Sequence, residues 1–391
     1  MKSLRNIDVT SKRVFVRVDY NVPVDETLTI TDDNRIKATL ELIRYLLAHH
    51  AKIILASHMG RPKGKNVPAL SLATVRQRLA QLLNQAVLFA DDCIGEDVTK
   101  KVNQLQDGQI LMLENLRFHT EEADNDDGFS KTLAGFCDVY VNDAFAVSHR
   151  DQASITGIPK FAPESAPGFL LEKELQFYYD SVDRPKRPLV AVIGGAKVSS
   201  KLAALENLLK FVDRMIIGGA MANTFLRSQG IDTKGSMIEA DLLQTASGII
   251  QTAEEKGIAF LLPRDLVCAD KFDASARVKN CRLDQIPDDW MALDIGPETA
   301  KAYAKAVADA GTIVWNGPMG VFEMEKFMSG TQVVADAIAA SPAVSILGGG
   351  DTGLAAKKCD IADKVSYIST GGGAFLHLME GKRLPGVVAL E

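Results

Sequence analysis

In the first half of the chain, four apolar runs each end in a cluster of arginine, histidine, aspartate or asparagine side chains. Guanidinium groups bind phosphate and carboxylate through two parallel hydrogen bonds, so several arginines on one rim suit a small, doubly anionic metabolite. Any one of these arginines alone is more typical of a protein surface than of a ligand site. The candidate residues are Asp19, Asn21, Arg35, His58, Arg61, Asn115, Arg117, Asn142, His149 and Arg150.

In the second half, the apolar runs end in glycine instead, as in VAVIGGAK, MIIGGA, VSILGGGDT and SYISTGGGA. Glycine lets the backbone approach a ligand closely, and the free N–H groups at a helix start attract phosphate. These turns therefore indicate a site for a chain of phosphates. After the third turn, Asp351 is a candidate Mg²⁺ ligand and Thr352 a candidate hydrogen-bond donor to phosphate.

The third turn also matches GxGxxG through Gly348, Gly350 and Gly353, a pattern that on its own suggests a dinucleotide site. That interpretation needs an acidic residue about 20 residues further on to hold the ribose. The chain has Thr370 and Gly371 there, so an NAD-dependent dehydrogenase is an alternative without its main support. The P-loop pattern GxxxxGK followed by Ser or Thr is absent.

Two lysines in GGAKVSSK, Lys197 and Lys201, lie one helical turn apart and therefore on one face. Lys197 follows a double glycine at a strand end, which favours a role at the phosphates. For Lys201, a solvated helix lysine is an equal alternative. The string WNGPMGVFE offers Asn316 and Glu323, although a plain turn would explain both.

Strand-like runs alternate with helical patterns along the whole chain, as with the helix expected over 36–50 between two strands. This alternation is typical of βαβ units with a mainly parallel, buried sheet, and 391 residues exceed one ordinary core. The sequence therefore predicts an α/β fold of two doubly wound domains with mainly parallel sheets, separated by a cleft and joined by a helix. The predicted limits are 1–168 for the first domain, with the tail 377–391 packing back on it, 169–183 for the interdomain helix and 184–376 for the second domain.

The composition argues against several classes of protein. A net charge of −6 argues against general nucleic-acid binding, and it requires any anion site to be a local positive cluster. Five scattered cysteines without a CxxC motif favour free thiols and a reducing compartment. No apolar run reaches the roughly 18 residues of a membrane span, and residues 1–20 lack a signal-peptide pattern. We therefore expect a cytoplasmic protein.

With these residues assembled, the chain resembles the phosphoglycerate kinase family across essentially its whole length. The matching strings, in the family's order, are RVDYNVP, SHMGRP, LENLRF, NDAFAVSHR, GGAKVSSK, WNGPMGVFE, GGGDT and YISTGGGA. The resemblance implies a monomeric glycolytic kinase that moves a phosphoryl group between the acyl phosphate of 1,3-bisphosphoglycerate and ADP, with Mg²⁺ and hinge closure. Such a transfer needs no general base when the acceptor is already an anion.

The resemblance also implies residue roles. The ligands of 3-phosphoglycerate would be Asp19, Asn21, Arg35, His58, Arg61, Arg117 and Arg150, with Arg35 also facing the phosphoryl group in flight. The residues serving ADP or ATP would be Gly195, Lys197, Lys201, Gly219, Asn316, Glu323, Gly349, Gly350, Asp351 and Thr352. Within that set, Lys197 would contact the transferring group, Glu323 the ribose and Asp351 the Mg²⁺ ion. Backbone N–H groups of Gly372 and Gly373 would face the developing charge.

Three positions depart from the family's pattern. Ala146 and Val147 replace the glycine and threonine that are common in NDAFAVSHR, and we expect a stiffer loop there. His377 stands where glutamate is frequent, so the part of that position in relaying closure is open. A non-catalytic nucleotide-binding protein is a further alternative, against which the intact set of candidate catalytic residues argues.

Overall fold

The computed structural model describes residues 1–391 and divides into two compact units. The first unit consists of Met1–Leu175 with Arg383–Glu391, and the second of Gln176–Lys382. The strands are β1 (Arg13–Val18), β2 (Lys52–Ala56), β3 (Val87–Phe89), β4 (Ile110–Met112), β5 (Val139–Asp143), β6 (Ser165–Pro167), β7 (Leu189–Ile193), β8 (Arg214–Ile217), β9 (Ala259–Leu261), β10 (Asp265–Ala269), β11 (Val278–Arg282), β12 (Met291–Ile295), β13 (Thr312–Asn316), β14 (Val344–Leu347) and β15 (Tyr367–Ile368).

Helices connect most of the strands of the two parallel sheets. The α-helices are α1 (Asn34–Lys37), α2 (Leu40–Ala48), α3 (Ala73–Leu83), α4 (Glu96–Asn103), α5 (Thr120–Ala123), α6 (Asp127–Ala134), α7 (Phe169–Val182), α8 (Leu202–Leu208), α9 (Met221–Ser228), α10 (Leu243–Glu255), α11 (Pro297–Ala308), α12 (Ser329–Ala340), α13 (Gly350–Lys358), α14 (Gly372–Met379) and α15 (Pro385–Val388). A π-helix covers Ala153–Gly157, and 3₁₀ helices cover Leu4–Asn6, Pro68–Leu70, Leu116–Phe118, Phe145–Val147, Ile158–Lys160, Ala240–Leu242 and Glu325–Phe327.

The division between the units falls inside α7, between Leu175 and Gln176. The short helix α15 belongs to the first unit, where Asn142 Nδ2 donates to the Gly386 carbonyl. The domain limits drawn from the sequence, at 168, 183 and 376, stay a prediction.

The first unit contains a six-stranded parallel sheet with the strand order β3-β4-β2-β1-β5-β6. Five of the six residues of β1 are buried, as are all five of β5. A run buried on both faces is what helices on both sides of a parallel sheet require. Because β1 lies between β2 and β5, the loops that follow these three strands meet at one edge.

The second unit contains a parallel sheet with the order β15-β14-β13-β7-β8-β9. The chain order reverses between β7 and β13, and such a reversal is where open α/β sheets bind ligands, outside the carboxyl ends of the strands. A smaller antiparallel sheet, β11-β10-β12, accompanies it. The predicted α/β class with mainly parallel, doubly wound sheets is confirmed.

The helix expected over 36–50 is divided in two, and α1 and α2 are separated at Thr39. The Thr39 hydroxyl donates to the Ile36 carbonyl at 2.9 Å and lies 2.7 Å from the buried Tyr20 hydroxyl. Such a side-chain bond competes with the helical ladder and interrupts it. Helix α2 then packs its buried residues, among them Leu42 and Leu46, onto the sheet core.

All five cysteines are buried free thiols, two in the first unit and three in the second. Burial raises the pKa of Cys137 to about 12 and that of Cys359 to about 11, so these thiols stay protonated at neutral pH. None of the helices combines the length and the apolar character needed to cross a membrane.

A buried carboxyl group, that of Asp143, joins β5 to the start of α7. Its Oδ1 accepts hydrogen bonds from Leu170 N at 2.8 Å and Leu171 N at 3.3 Å, whereas Oδ2 is buried without a partner. Burial raises the pKa of Asp143 to about 7, although the two N–H donors act in the opposite direction. A side chain at Gly168 would lie 2.3 Å from Oδ1, so the carboxyl group occupies the space that this glycine leaves.

We predict that Asp143→Asn removes one source of pH dependence from the stability of the protein. The folded-state pKa of about 7 lies above the ordinary value of 3.8, so folding retains a proton that the unfolded chain loses. The free energy of unfolding of the wild type therefore falls as the pH rises from 3.8 towards 7 and levels off above. The amide keeps the Oδ1 bonds and does not ionise.

Urea unfolding of both proteins between about pH 5 and about pH 8 measures this effect, because other titrating groups cancel in the difference. We expect the variant to gain about 3 kcal/mol on the wild type over this range, because about two pH units of it lie below the folded-state pKa. A constant difference would contradict the assignment.

Candidate functional site

The end of β1 carries a carboxylate that ties three segments of the first unit together. Asp19, 8% exposed, accepts hydrogen bonds from Arg35 Nη1 at 2.7 Å and from Asn21 N at 3.0 Å. The Asn21 side-chain oxygen accepts from Gly60 N at 2.9 Å in the loop after β2. The strand end, α1 and the β2 loop thus hold Arg35 beside two polar side chains.

Three predicted arginines, Arg61, Arg117 and Arg150, line one cavity of about 370 Å³. Arg117 is 9% exposed, and its Nη1 donates to the Gly60 carbonyl at 2.8 Å. Its Nη2 is buried without a partner. Burial, then the charges of Arg17 and Arg150, lower the pKa of Arg117 to about 10, which still leaves it charged at neutral pH. An anion entering the cavity meets a desolvated guanidinium group with an unused N–H donor.

His58 lies at the end of β2 and is almost completely buried. Burial and the charges of Arg17, Arg117, Arg150 and Arg35, in that order, hold its pKa well below the ordinary value. His58 is therefore neutral at physiological pH. The field of four arginines converges on this one ring, so the structure brings the scattered basic residues of the first half together.

Two further candidates from the strand ends, Asn115 and Asn142, are buried and serve the backbone. The Asn115 oxygen accepts from Met59 N and Arg117 N at 3.2 and 3.1 Å. The Asn142 oxygen accepts from Ala144 N at 3.0 Å. These bonds shape the loops that carry the arginines, and both amide oxygens accept from the backbone.

The sequence did not single out Arg17 and Glu122, both completely buried in the first unit. The side chain of Arg17 donates from Nε to Ser154 Oγ at 2.7 Å, and Glu122 Oε1 accepts from the same hydroxyl at 2.6 Å. The signal was available: Arg17 interrupts the apolar run VFVRV of a buried strand, and a buried charge needs a partner. The sequence pattern does not identify that partner, because Glu122 is remote from Arg17 in the chain.

The loop with the two unusual residues, Ala146 and Val147, forms a 3₁₀ helix over Phe145–Val147. Val147 packs with Ala144 and Ile155, and its carbonyl accepts from Arg150 N at 2.9 Å. This turn therefore sets the backbone position of Arg150. The stiffening expected from Ala146 and Val147 stays a prediction, as does the consequence of His377, which lies in α14.

In the second unit, the loops after β7 and β13 cross with almost no space between them. Gly194 N donates to the Asn316 carbonyl at 2.9 Å, and a Cβ at Gly194 would lie 2.0 Å from the Pro318 carbonyl oxygen. Gly195 and Gly317 both have positive φ, at +116° and +96°. Only glycine meets both demands, and the crossing marks the reversal point of the sheet.

Lys201 is anchored at this crossing. Its Nζ donates to the Asn316 carbonyl at 2.9 Å and also to the Asn316 side-chain oxygen, while Asn316 Nδ2 donates to the Gly348 carbonyl at 2.7 Å. Burial lowers the pKa of Lys201 to about 8, and the charge of Asp351 opposes that shift. Lys201 is therefore a half-buried, weakly compensated cation, and its bonds to Asn316 argue against the alternative of a solvated helix lysine.

The third glycine turn starts α13. Gly349, with φ +103°, precedes the helix, and Gly350 and Asp351 are exposed in its first turn. The Thr352 hydroxyl accepts from Gly317 N and donates to the Gly348 carbonyl, both at 2.7 Å. Its hydrogen is thus already used, and donation to a phosphate requires that the bond to Gly348 be given up.

The fourth glycine turn brings a second helix start to the same place. Gly372 begins α14, and a Cβ added to it would lie 3.3 Å from Gly350 N and 3.5 Å from Gly349 Cα. Free N–H groups at the starts of α13 and α14 therefore share one spot. Helix starts favour negative charge, so two of them together form a candidate phosphate site. Gly373 follows in the first turn of α14.

Three other predicted residues, Gly219, Lys197 and Glu323, lie outside the starts of α13 and α14. Gly219, with φ +68°, belongs to the crossing, because a Cβ there would lie 2.5 Å from Gly195 N. Lys197 is exposed in a loop that Ser199 fastens by donating from its N–H to Glu239 at 3.1 Å.

Glu323 is exposed, and its carbonyl accepts from Lys358 Nζ at 3.1 Å near the end of α13. That helix end lies about 12 Å along the axis from Gly350. The Glu323 backbone is therefore tied to the last turn of α13 through the Lys358 side chain.

Donor atoms of Asp92, Cys93 and His119 lie within 4.8 Å of one another in the first unit. Asp92 Oδ1 is 2.6 Å from His119 Nε2 and also accepts from Cys93 N at 2.6 Å. Two ligands of one tetrahedral zinc ion lie about 3.3 Å apart, farther than this pair. The cluster is a hydrogen-bonded loop anchor rather than a preformed metal site.

Comparison with known proteins now adds to this geometry. A sequence profile described as "Phosphoglycerate kinase" matches residues 4–382. The chain belongs to the phosphoglycerate kinase family. Curated phosphoglycerate kinases from Desulforapulum autotrophicum and Desulfosudis oleivorans are 60% and 55% identical over 391 residues, with all of this chain and 100% and 99% of theirs covered.

Solved structures of the family show the same fold. Phosphoglycerate kinase from Coxiella burnetii superposes with a TM-score of 0.92 at 41% identity, covering 100% of this chain and 98% of that one. The protein from Pyrococcus horikoshii gives 0.85 at 34% identity with the same coverage. The family resemblance and the prediction of an enzyme, a kinase, are confirmed, and neither alternative is favoured.

We predict that Gly349→Ala weakens binding of phosphate chains and leaves the fold intact. A side chain at φ +103° is strained, and its Cβ would lie 3.0 Å from Asn316 Nδ2. Strain of this kind costs about 1 to 3 kcal/mol and is relieved when the free turn shifts. Binding must reverse that shift, so we expect a loss of affinity on the order of tenfold. Isothermal titration with MgADP as the probe measures the affinity.

Gly257→Ala is the matched control, because Gly257 also has positive φ, +69°, but no atom within 4 Å of the added Cβ. We expect the control to bind MgADP like the wild type. Equal affinities for all three proteins would contradict a contribution of Gly349 to phosphate binding.

Proposed function

We propose that the chain catalyses reversible phosphoryl transfer between 1,3-bisphosphoglycerate and MgADP, giving 3-phosphoglycerate and MgATP. The observation that carries the proposal is Arg117 Nη2, buried and unpartnered in a cavity that Arg61 and Arg150 also line. An unused guanidinium N–H in a desolvated place is costly unless an anion completes it.

In the first unit, we assign the phosphate of 3-phosphoglycerate to the cavity of Arg61, Arg117 and Arg150. The remaining predicted ligands surround the end of β1 and offer both donors and acceptors, which suits a hydroxyl and a carboxylate. They are Asp19, Asn21, Arg35 and His58. Arg35 is partly exposed and cationic, so it is suited to neutralise the phosphoryl group in flight.

In the second unit, we assign the phosphates of ADP or ATP to the glycine turns. Backbone N–H groups of Gly349, Gly350, Gly372 and Gly373 supply the donors, and Lys201 with Asn316 stabilises the turn beneath them. Lys197, on its exposed loop, is the proposed partner of the transferring group. Gly195 and Gly219 keep the space for the nucleotide free of side chains.

Glu323 is proposed for the ribose. Its place near the far end of α13 suits the nucleoside end of an extended nucleotide whose phosphates lie at the start of that helix. Thr352 is proposed to release Gly348 and donate to a phosphate when the nucleotide binds.

Mg²⁺ fits the start of α13. Asp351 is an exposed carboxylate in the first helical turn, and Mg²⁺ commonly takes one protein carboxylate along with waters and phosphate oxygens. The ion supplies charge neutralisation for the phosphates when bound. Asp351 is the residue that we propose to hold it.

The proposed transfer is direct. The carboxylate of 3-phosphoglycerate and the β-phosphate oxygen of ADP are anions already, so the side chains supply charge and position instead of a base. The cavity of Arg61, Arg117 and Arg150 belongs to the first unit and the glycine turns to the second. We propose that hinge closure brings the two substrates together. A monomer, the cytoplasm and a place in glycolysis complete the proposal, without a nucleic-acid or membrane partner.

Turnover of 3-phosphoglycerate with MgATP tests the proposed function. We expect an acyl phosphate that hydroxylamine traps, and an Arg117→Met variant with a rate constant kcat/KM lower by about 100-fold or more, since a donor to charge is lost. The control Lys12→Met removes the charge of a half-buried lysine just before β1 and should match the wild type. No acyl phosphate from the wild type would refute the proposal.

A second prediction concerns protons taken up when the nucleotide binds. Burial holds the pKa of Lys201 at about 8, and phosphate anions nearby raise it, so the complex binds more protons than the free protein. Affinity for MgADP should therefore decrease as the pH rises past 8.

Titration calorimetry near pH 8, in buffers of different ionisation enthalpy, counts these protons. We expect uptake by the wild type and a smaller uptake by Lys201→Met. Identical proton counts in both proteins would assign the effect to another group.

A further inference from the structure

A chain of buried polar groups in the first unit leads from Glu122 through Ser154 and Arg17 to His58. Arg17 Nη2 is 3.1 Å from His58 Nδ1, Arg17 Nε donates to Ser154 Oγ at 2.7 Å, and Arg17 Nη1 donates to the Val18 carbonyl. The Ser154 hydroxyl in turn donates to Glu122 Oε1 at 2.6 Å. Arg17, Ser154 and Glu122 are all completely buried.

The contact with Arg17 determines which nitrogen of His58 carries the proton. A guanidinium group has only donors, so Nδ1 must accept and cannot bear a hydrogen. A protonated ring would also set two donors against each other at 3.1 Å. The ring is therefore neutral with its proton on Nε2, the nitrogen that lies 3.9 Å from Asp19 Oδ1. Burial and the surrounding arginines favour the same neutral state by lowering the pKa of His58.

Glu122 offsets part of the free energy that it costs to bury the charge of Arg17. Its Oε1 lies 3.9 Å from Arg17 Nη2, and its Oε2 accepts from Ser154 N at 2.9 Å. Removing one partner of a buried ion pair leaves an uncompensated charge in a poorly solvated place. Glu122 thus keeps the guanidinium group in its position against the ring.

We propose that Arg17, neutralised by Glu122, is a positioning residue that fixes His58 as the Nε2–H tautomer. In this form His58 presents an N–H donor towards Asp19 and the substrate oxygens. The functional part of this proposal depends on the proposed binding of 3-phosphoglycerate, whereas the tautomer itself does not. Neither Arg17 nor Glu122 needs to touch the substrate.

Long-range ¹H–¹⁵N correlation spectra of the labelled protein, without substrate, read the tautomer directly. We expect His58 Nδ1 to resonate as an unprotonated nitrogen and Nε2 as a protonated one, with His58→Gln identifying the signals among six histidines. Protonation on Nδ1 in the wild type would overturn the proposal.

Three variants test the cause. Arg17→Met with Glu122→Gln removes both buried charges together, so neither charge is left unpaired, and we expect the two tautomers to mix. Arg17→Lys retains a donor-only cation and should preserve the Nε2–H form. Ser130→Ala, which removes a buried hydroxyl on α6 that bonds to Asp126 O, is the control and should keep it as well. An unchanged tautomer in the double variant would overturn the proposal.

Kinetics complete the test. The double variant should raise KM for 3-phosphoglycerate about tenfold and leave the affinity for MgADP unchanged, because a single donor to a charged ligand is misplaced. An unchanged KM alongside a mixed tautomer would overturn the positioning role. A wild type with the expected tautomer and no turnover would refute the proposed function alone.

Discussion

Everything in the first unit depends on keeping arginine charge where little water reaches it. Arg17 is completely buried and Arg117 nearly so, in a protein whose net charge is −6. Each guanidinium group loses hydration, and Glu122 and Asp19 return only part of that loss. Under the proposed function, an anionic substrate supplies the remaining part, so burial of the arginines favours a ligand with more than one negative charge.

In the proposed nucleotide site of the second unit, backbone N–H groups accompany the lysine charges of Lys197 and Lys201. Main-chain N–H groups at the starts of α13 and α14 are fixed dipoles that require no side chain to be ordered on binding. The crossing of the β7 and β13 loops provides the space, since Gly194 has a backbone oxygen where a side chain would stand. Under the proposed function, the first unit binds its anion with desolvated side chains, and the second binds its phosphates largely with pre-oriented backbone.

Local sequence signals predict the sheets and the loops at their edge, but not the contacts between distant segments. The alternation of patterns predicted both parallel sheets, and the strand-end rule predicted the convergence of Arg61, Arg117 and Arg150, because chain order and strand direction are local signals. Patterns could not reveal that Arg17 pairs with Glu122, or that Lys201 donates to Asn316, because these contacts join segments remote in sequence. The division of the helix at Thr39 depends on a hydroxyl of Tyr20 from another strand end.

The five enclosed thiols have a consequence for experiments on motion. Since none reaches the surface in the folded molecule, an alkylating reagent can modify each sulfur only during a transient opening of its surroundings. Cys93 and Cys137 sit in one unit, and Cys268, Cys281 and Cys359 in the other. Mass spectrometry of the alkylated peptides would therefore measure the rate of local opening in each unit separately, without an engineered label.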